Sequence, residues 1–214
     1  STLLASSAAS DVYKRQVNRM VDEGIKGVDY ITVNTDARAL NSSKADTKVQ
    51  IGVKLTNGKG AGAKPEIGAS SAEENRDEIK AALSGSDMVF IAAGMGGGTG
   101  TGAAPIVAEI AQELGILTVA VVTKPFEFEQ KAKMRQAEAG IAELKKHVDS
   151  LIVIPNERLL QSADKELTMK QSFALADDIL KVGVKSIAEL ITVEGDINLD
   201  FADVKTTMLS LIHI

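Results

Sequence analysis

The run Gly94-Met-Gly-Gly-Gly-Thr-Gly-Thr-Gly102 holds no residue that titrates near neutral pH, yet it has a chemistry: it can grip an anion. Glycines leave no side-chain bulk, so backbone N–H groups can close around a phosphate at the positive end of a helix. Thr99 and Thr101 add hydroxyl donors among those amides. The flanks agree with this. Asp87 to Ala93 is an apolar, strand-like run, and Ala103 to Leu114 repeats apolar residues at helical spacing. Pro105 then belongs in the first turn of the helix, where its missing N–H is harmless. A strand, a glycine-rich turn and a helix N-terminus make a phosphate cradle.

A second glycine-rich stretch, Leu55 to Gly68, offers a facing wall for a triphosphate, although a plain surface loop reads the same way. Asn34-Thr-Asp-Ala37 follows a strand, either as a simple helix cap or at the carboxyl edge of a parallel sheet, where nucleotides bind. Hydrolysis of a γ-phosphate needs an oriented water, and no base stands beside the cradle. Asp200 and Asp203, with Asn198, are acidic and polar residues that could serve, far along the chain. Their plain alternative is a capped turn.

Other phosphate-binding classes fit less well. A Walker loop needs Gly-x-x-x-x-Gly-Lys-Ser/Thr, and Gly58-Lys59 is followed by Gly60. A dinucleotide fingerprint can be laid on Gly98, Gly100 and Ala103, but the next strand ends in Val121-Val-Thr-Lys-Pro125, with lysine where an acidic residue is expected. A flexible glycine linker is not framed by strand and helix.

The 214 residues suffice for one large domain. A hydrophobic share of 44% against 25% charged is that of a soluble globular protein. The absence of cysteine removes disulfides and thiolate metal sites. A net charge of -5 argues against nucleic acid as a partner. No apolar stretch approaches the roughly 20 residues of a membrane span, so no direct membrane insertion is expected. His147, the one histidine outside the C-terminal tail, has no triad order or second ligand around it, so it reads as a packing residue.

Residues 1–16 show no period that joins the pattern beginning at Val17, and 209–214 are an apolar tail on a polar segment. Both resemble translated adapter sequence and are set aside as non-native. Strands are expected at Val28 to Val33, at 88–93, at Ile116 to Val122 and at Leu151 to Ile154, with a brief apolar segment at 49–51. Helices are expected at Ala37 to Ser43, from a capping box at Ser71 and Glu74 to Leu83, and from Glu129 to His147. A long helix, 169–191, carries Met169, Phe173, Ala176, Leu180, Val184, Ile187 and Ile191 on one face. Alternating strands and helices make an α/β fold of three layers, a mostly parallel sheet flanked by helices. Residues 17–192 form the nucleotide-binding domain, and 193–208 a catalytic loop with the start of the following helix.

The run Gly-Gly-Gly-Thr-Gly-Thr-Gly resembles the signature of the tubulin superfamily, in particular its bacterial cell-division branch, the FtsZ family. The resemblance extends over Val17-Asn-Arg-Met20, Asn34 to Ala37, Gly60-Ala-Gly62, Thr123-Lys-Pro-Phe126, Ile154-Pro-Asn156 and Asn198-Leu-Asp-Phe-Ala-Asp203, in family order and spacing. It implies GTP and GDP binding, with Mg²⁺ as the expected cation, slow GTP hydrolysis, and head-to-tail self-polymerisation at a cytoplasmic midcell division ring. It implies phosphate contacts from Gly96, Gly97, Gly98, Thr99, Gly100, Thr101 and Gly102, with Ala61, Gly62 and Ala37 nearby. Glu129 would hold the ribose, with Lys133 and Asn156 in the site. Phe173 would stack on guanine, while Asp177 would accept hydrogen bonds from its edge. Guanine presents N1–H and N2–H side by side, which an acceptor-only carboxylate matches. Asp177 lies one turn after Phe173, so both project from one side of the helix. The loop bearing Asn198, Asp200 and Asp203 would enter the neighbouring subunit's nucleotide site.

Three departures stand out. The family's first strand and first phosphate loop are missing before Val17. Lys133 replaces a frequent arginine, turning a bidentate contact into a point charge. The second domain and the C-terminal tail that meets other division proteins are absent. A dinucleotide-binding domain, or a filament protein that binds nucleotide without turning it over, are the alternatives.

Overall fold

The computed structural model describes residues 2–7, 18, 21, 28–161 and 167–192. Six strands form one sheet: β1 Thr2–Ser7, β2 Val28–Asn34, β3 Thr47–Gln50, β4 Met88–Gly94, β5 Leu117–Lys124 and β6 Ser150–Pro155. Their order is β3-β2-β1-β4-β5-β6, and every pairing is parallel. The chain winds outward one way from β1 to β3 and the other way from β4 to β6. The switch between β1 and β4 opens a crevice at the carboxyl ends, where such sheets bind ligands.

Strands β4 and β5 are buried on both faces, which explains their unbroken apolar runs. Side chains alternate across it. Val89, Ile91 and Ala93 join one core with Ala120 and Val122 under four helices: α3 Pro65–Glu74, α4 Arg76–Leu83, α5 Thr99–Glu113 and α6 Lys131–Leu144. Met88, Phe90, Ala92, Val119 and Val121 join the other with Val184 of α8, Met169–Thr192. Three short helices also lie among the described residues: α1 Ala37–Asn41, α2 Val53–Thr56 and α7 Asn156–Gln161. Among the described residues no helix is long and apolar enough to cross a membrane.

Four expectations are corrected. The place expected to lack a strand is filled: β1 pairs with β2 on one side and β4 on the other. A strand at the centre of a parallel sheet need show no alternation, so the missing period at Thr2–Ser7 was no argument against one. Second, Ser71 caps nothing. Helix α3 starts six residues earlier with Pro65 in its first turn, and Ser71 is fully buried within it. The break falls at Asn75, whose side chain accepts the Gly52 N–H at 2.8 Å and donates to Glu78 at 3.0 Å. Third, α5 starts at Thr99, so the glycine run supplies its first turn and Pro105 lies in the second. Glycine's poor helix propensity hid this start, and packing overrides it. Fourth, the charged helix begins at Lys131, after a 3-10 turn at Glu127–Glu129 and a bend at Gln130. On α8, Ala176 and Val184 are buried as the stripe requires, but Met169, the first helical residue, is 63% exposed.

Candidate functional site

The glycine run leaves β4 at the switch point. The Met95 N–H donates to the Thr123 carbonyl at 3.0 Å, extending the ladder to β5. The chain then turns through Gly96 at φ +102°, where a Cβ would lie 3.0 Å from the Lys133 carbonyl of α6. The Gly96 N–H donates to Thr101 Oγ1 at 2.8 Å, clasping the turn to the helix it opens. At Gly98 a Cβ would run into the Gly62 carbonyl oxygen, and at Gly102 into that of Pro65, 2.6 Å from the Ala69 nitrogen. These glycines let α3 and α5 touch backbone to backbone. Gly97 is the one residue of 96–102 with partial exposure.

The second glycine stretch packs against the first. Gly98 N–H donates to the Gly62 carbonyl at 3.1 Å, and Ala37 N–H to that of Gly58 at 3.0 Å. Thr35 ties these pieces together: its carbonyl accepts the Gly60 N–H at 3.2 Å, and its hydroxyl accepts the Ala61 N–H at 3.0 Å. The same hydroxyl lies 2.6 Å from Thr99 Oγ1. Asp36 caps α1, accepting from Arg38 N at 2.8 Å and Ala39 N at 3.1 Å. Asn18, from the Val17–Met20 stretch, braces the next loop through Ser42 and Lys44.

At the other end of the crevice the chain after β5 folds over the strand ends. Phe126 stacks on Phe128 at 4.9 Å between centroids, and Phe173 of α8 meets both edge-on, at 5.4 and 6.1 Å. That aromatic trio packs Phe173 of α8 against the turn that carries Glu129. Glu129 Oε1 accepts the Phe126 N–H at 3.0 Å, and Oε2 pairs with Lys133 at 3.3 Å. A carboxylate has further lone pairs, so Glu129 can still accept a hydroxyl.

Two polar side chains here have no partner. Asn156, at the β6–α7 junction, is fully buried, and neither amide atom makes a hydrogen bond. Thr123, at the end of β5, is equally buried and its hydroxyl is equally unpaired. Buried polar groups are nearly always satisfied, so such a pair at strand carboxyl ends makes this end of the crevice a candidate ligand site.

Asn198, Asp200 and Asp203 lie outside the described residues. Sequence reasoning did not single out Thr35 or Thr123, although both stood within quoted stretches; a hydroxyl's partner 64 residues away leaves no local pattern. Among the described residues, no group of three or more His, Cys, Asp or Glu could hold a metal ion. His147 lies 3.1 Å from Gln112 and 3.8 Å from Glu143, on the flank of the fold. Lys146, by its hydrogen bond, and His147 hold the Glu143 carboxyl below its ordinary pKa.

A family model, the GTPase domain of the Tubulin/FtsZ family, matches residues 11–164. Among solved structures, a mutant FtsZ from M. jannaschii is 48% identical at TM-score 0.92, over 97% of this chain and 62% of that one. An empty FtsZ dimer of M. jannaschii is also 48% identical, at TM-score 0.91 over 97% and 60%. CetZ2 from Haloferax volcanii, a GTPγS-bound protofilament, is 22% identical at TM-score 0.81 over 98% and 63%, a likeness of fold. The chain spans about three fifths of the length of the FtsZ structures it matches.

Proposed function

The chain belongs to the tubulin/FtsZ GTPase family, and from that premise we propose that it binds GTP along the crevice at the strand carboxyl ends. The observation that carries this reading is Asn156, a fully buried carboxamide with donor and acceptor both unused. A purine base offers complementary groups at its edge, and a nucleoside seated between Phe173 and the ends of β5 and β6 would satisfy them. Asp177 favours guanine over adenine. Glu129 takes a ribose hydroxyl, and the triphosphate runs toward Gly96–Gly102 and the Ala61–Gly62 wall. The dinucleotide alternative is weakened at β5, whose last residue, Lys124, pairs with Glu138 at 3.6 Å where an acidic residue would be needed.

In this proposal the chain positions phosphates and leaves activation of water to a second copy. Among the described residues the run Gly96–Gly102 holds no carboxylate, so in this proposal Asn198, Asp200 and Asp203 of a neighbouring subunit complete the site, and assembly switches hydrolysis on. The FtsZ dimer of M. jannaschii supports self-association. Mg²⁺ would serve as counter-charge to the triphosphate, bound largely by its oxygens. The cellular role we propose is a cytoplasmic filament at the midcell division ring, meeting other division proteins through a C-terminal tail.

The test is twofold. Asp177→Ala in the full-length protein should weaken GTP by about 1–3 kcal/mol, the cost of leaving base donors unpaired. Unchanged affinity removes Asp177 from the site. Phosphate release should rise more than linearly with protein concentration, and Asp200→Ala should poison mixtures with the parent. Linear dependence, without poisoning, contradicts the shared site; no release at any concentration favours a non-catalytic filament protein.

A further inference from the structure

The Thr35–Thr99 pair carries one proton too many for its surroundings. Both residues are buried, Thr35 fully, and their hydroxyl oxygens lie 2.6 Å apart. The Ala61 N–H can only donate, so it occupies one lone pair of Thr35 Oγ1. Two hydroxyl protons remain, and only one can lie between the two oxygens. Neither hydroxyl has another acceptor among the described residues. The surplus proton sits either on Thr35, enclosed behind the second loop, or on Thr99, the first residue of α5 in the cradle. A buried O–H without an acceptor is costly, and an anionic oxygen at the cradle relieves the cost only in the second arrangement.

We propose that Thr35 is a positioning residue: by donating to Thr99 Oγ1 while accepting from Ala61, it turns the Thr99 O–H toward a bound phosphate and couples loop 58–64 to its presence. The relay runs from the Ala61 N–H to Thr35, from Thr35 to Thr99, and from Thr99 to phosphate oxygen. Each donor polarises the next, so an anion at Thr99 tightens the Ala61 bond. The Thr35 carbonyl is held by the Gly60 N–H and by the Thr56 hydroxyl at 3.3 Å, so the relay starts from a fixed backbone. This rests on the GTP reading above.

Thr35→Val keeps the shape and removes the hydroxyl; Thr35→Ser keeps the hydroxyl. In the full-length protein, Thr35→Val should bind GTP roughly tenfold more weakly, and Thr35→Ser within about twofold of the parent. Guanosine, lacking phosphate, should bind parent and Thr35→Val alike. In a Thr99→Val background the Thr35→Val loss should vanish. Parental GTP affinity in Thr35→Val, an equal loss for guanosine, or multiplying losses in the double variant would each overturn the relay. Should Thr35→Val fail to fold, hydrogen exchange at the parent's Ala61 amide decides: GTP should slow it and guanosine should not, and exchange indifferent to GTP sinks the proposal. A parent that binds no GTP defeats the nucleotide reading itself, and the relay with it.

Discussion

The two ends of the crevice are built on opposite terms. At the phosphate end, backbones touch through Gly98 and Gly102, Thr101 closes the turn, and Gly98 N–H already has a partner in Gly62. At the nucleoside end, Asn156 and Thr123 are buried with nothing to bond. The backbone of the first region is closed by the protein's own contacts. The second leaves a buried carboxamide and a buried hydroxyl unpaired, and in our proposal a nucleoside completes it. Shape is thus secured where glycine permits close approach, and recognition is left where polar groups are orphaned.

Gly102→Ala should give the largest effect. Its Cβ would meet the Pro65 carbonyl and the Ala69 nitrogen, which are backbone and cannot rotate away, so a loss of roughly 3 kcal/mol in denaturant unfolding is expected. A parental midpoint would mean that α3 and α5 do not meet as described. Two isosteric changes then set the ends against each other. Thr101→Val strands the Gly96 N–H and should cost about 1–3 kcal/mol, whereas Thr123→Val removes an unpaired hydroxyl and should stabilise the ligand-free protein by about 1 kcal/mol. Equal signs in the two variants would erase the contrast.

The smallest expected change concerns Gln130, a non-glycine residue at φ +99° between Glu129 and α6. Gln130→Gly should relieve strain and raise stability by about 1 kcal/mol, measured by the same unfolding midpoint. A lower midpoint would mean that the side chain compensates for its backbone.

Much of this was legible in the residues. Strands β4 and β5 announced themselves as apolar runs, and the run ending in Gly102 was legible as the passage from strand to helix that it is. The start of α5 was not legible, because Gly100 and Gly102 argue locally against helix and only the contact with α3 explains them. Strand β1 went unread for want of a period, which a central strand of a parallel sheet need not have. Phe173 and Asp177 could be placed on one face by spacing, but the contact of Phe173 with Phe126 and Phe128 joins residues far apart in the chain and leaves no local pattern. Orphaned groups such as Asn156 have no sequence signature, since lacking a partner is a property of the folded surroundings.

The most direct test is the unfolding stability of the parent and Asn156→Leu, each with and without GTP. Without GTP the variant should be the more stable by roughly 1–3 kcal/mol, because a buried unpaired carboxamide has been replaced by an apolar group of similar size. With GTP at a concentration that saturates the parent, the order should reverse, since only the parent gains the full stabilisation of binding. A variant less stable than the parent without nucleotide, or equal stabilisation of both by GTP, would contradict the assignment of Asn156 to a nucleotide base.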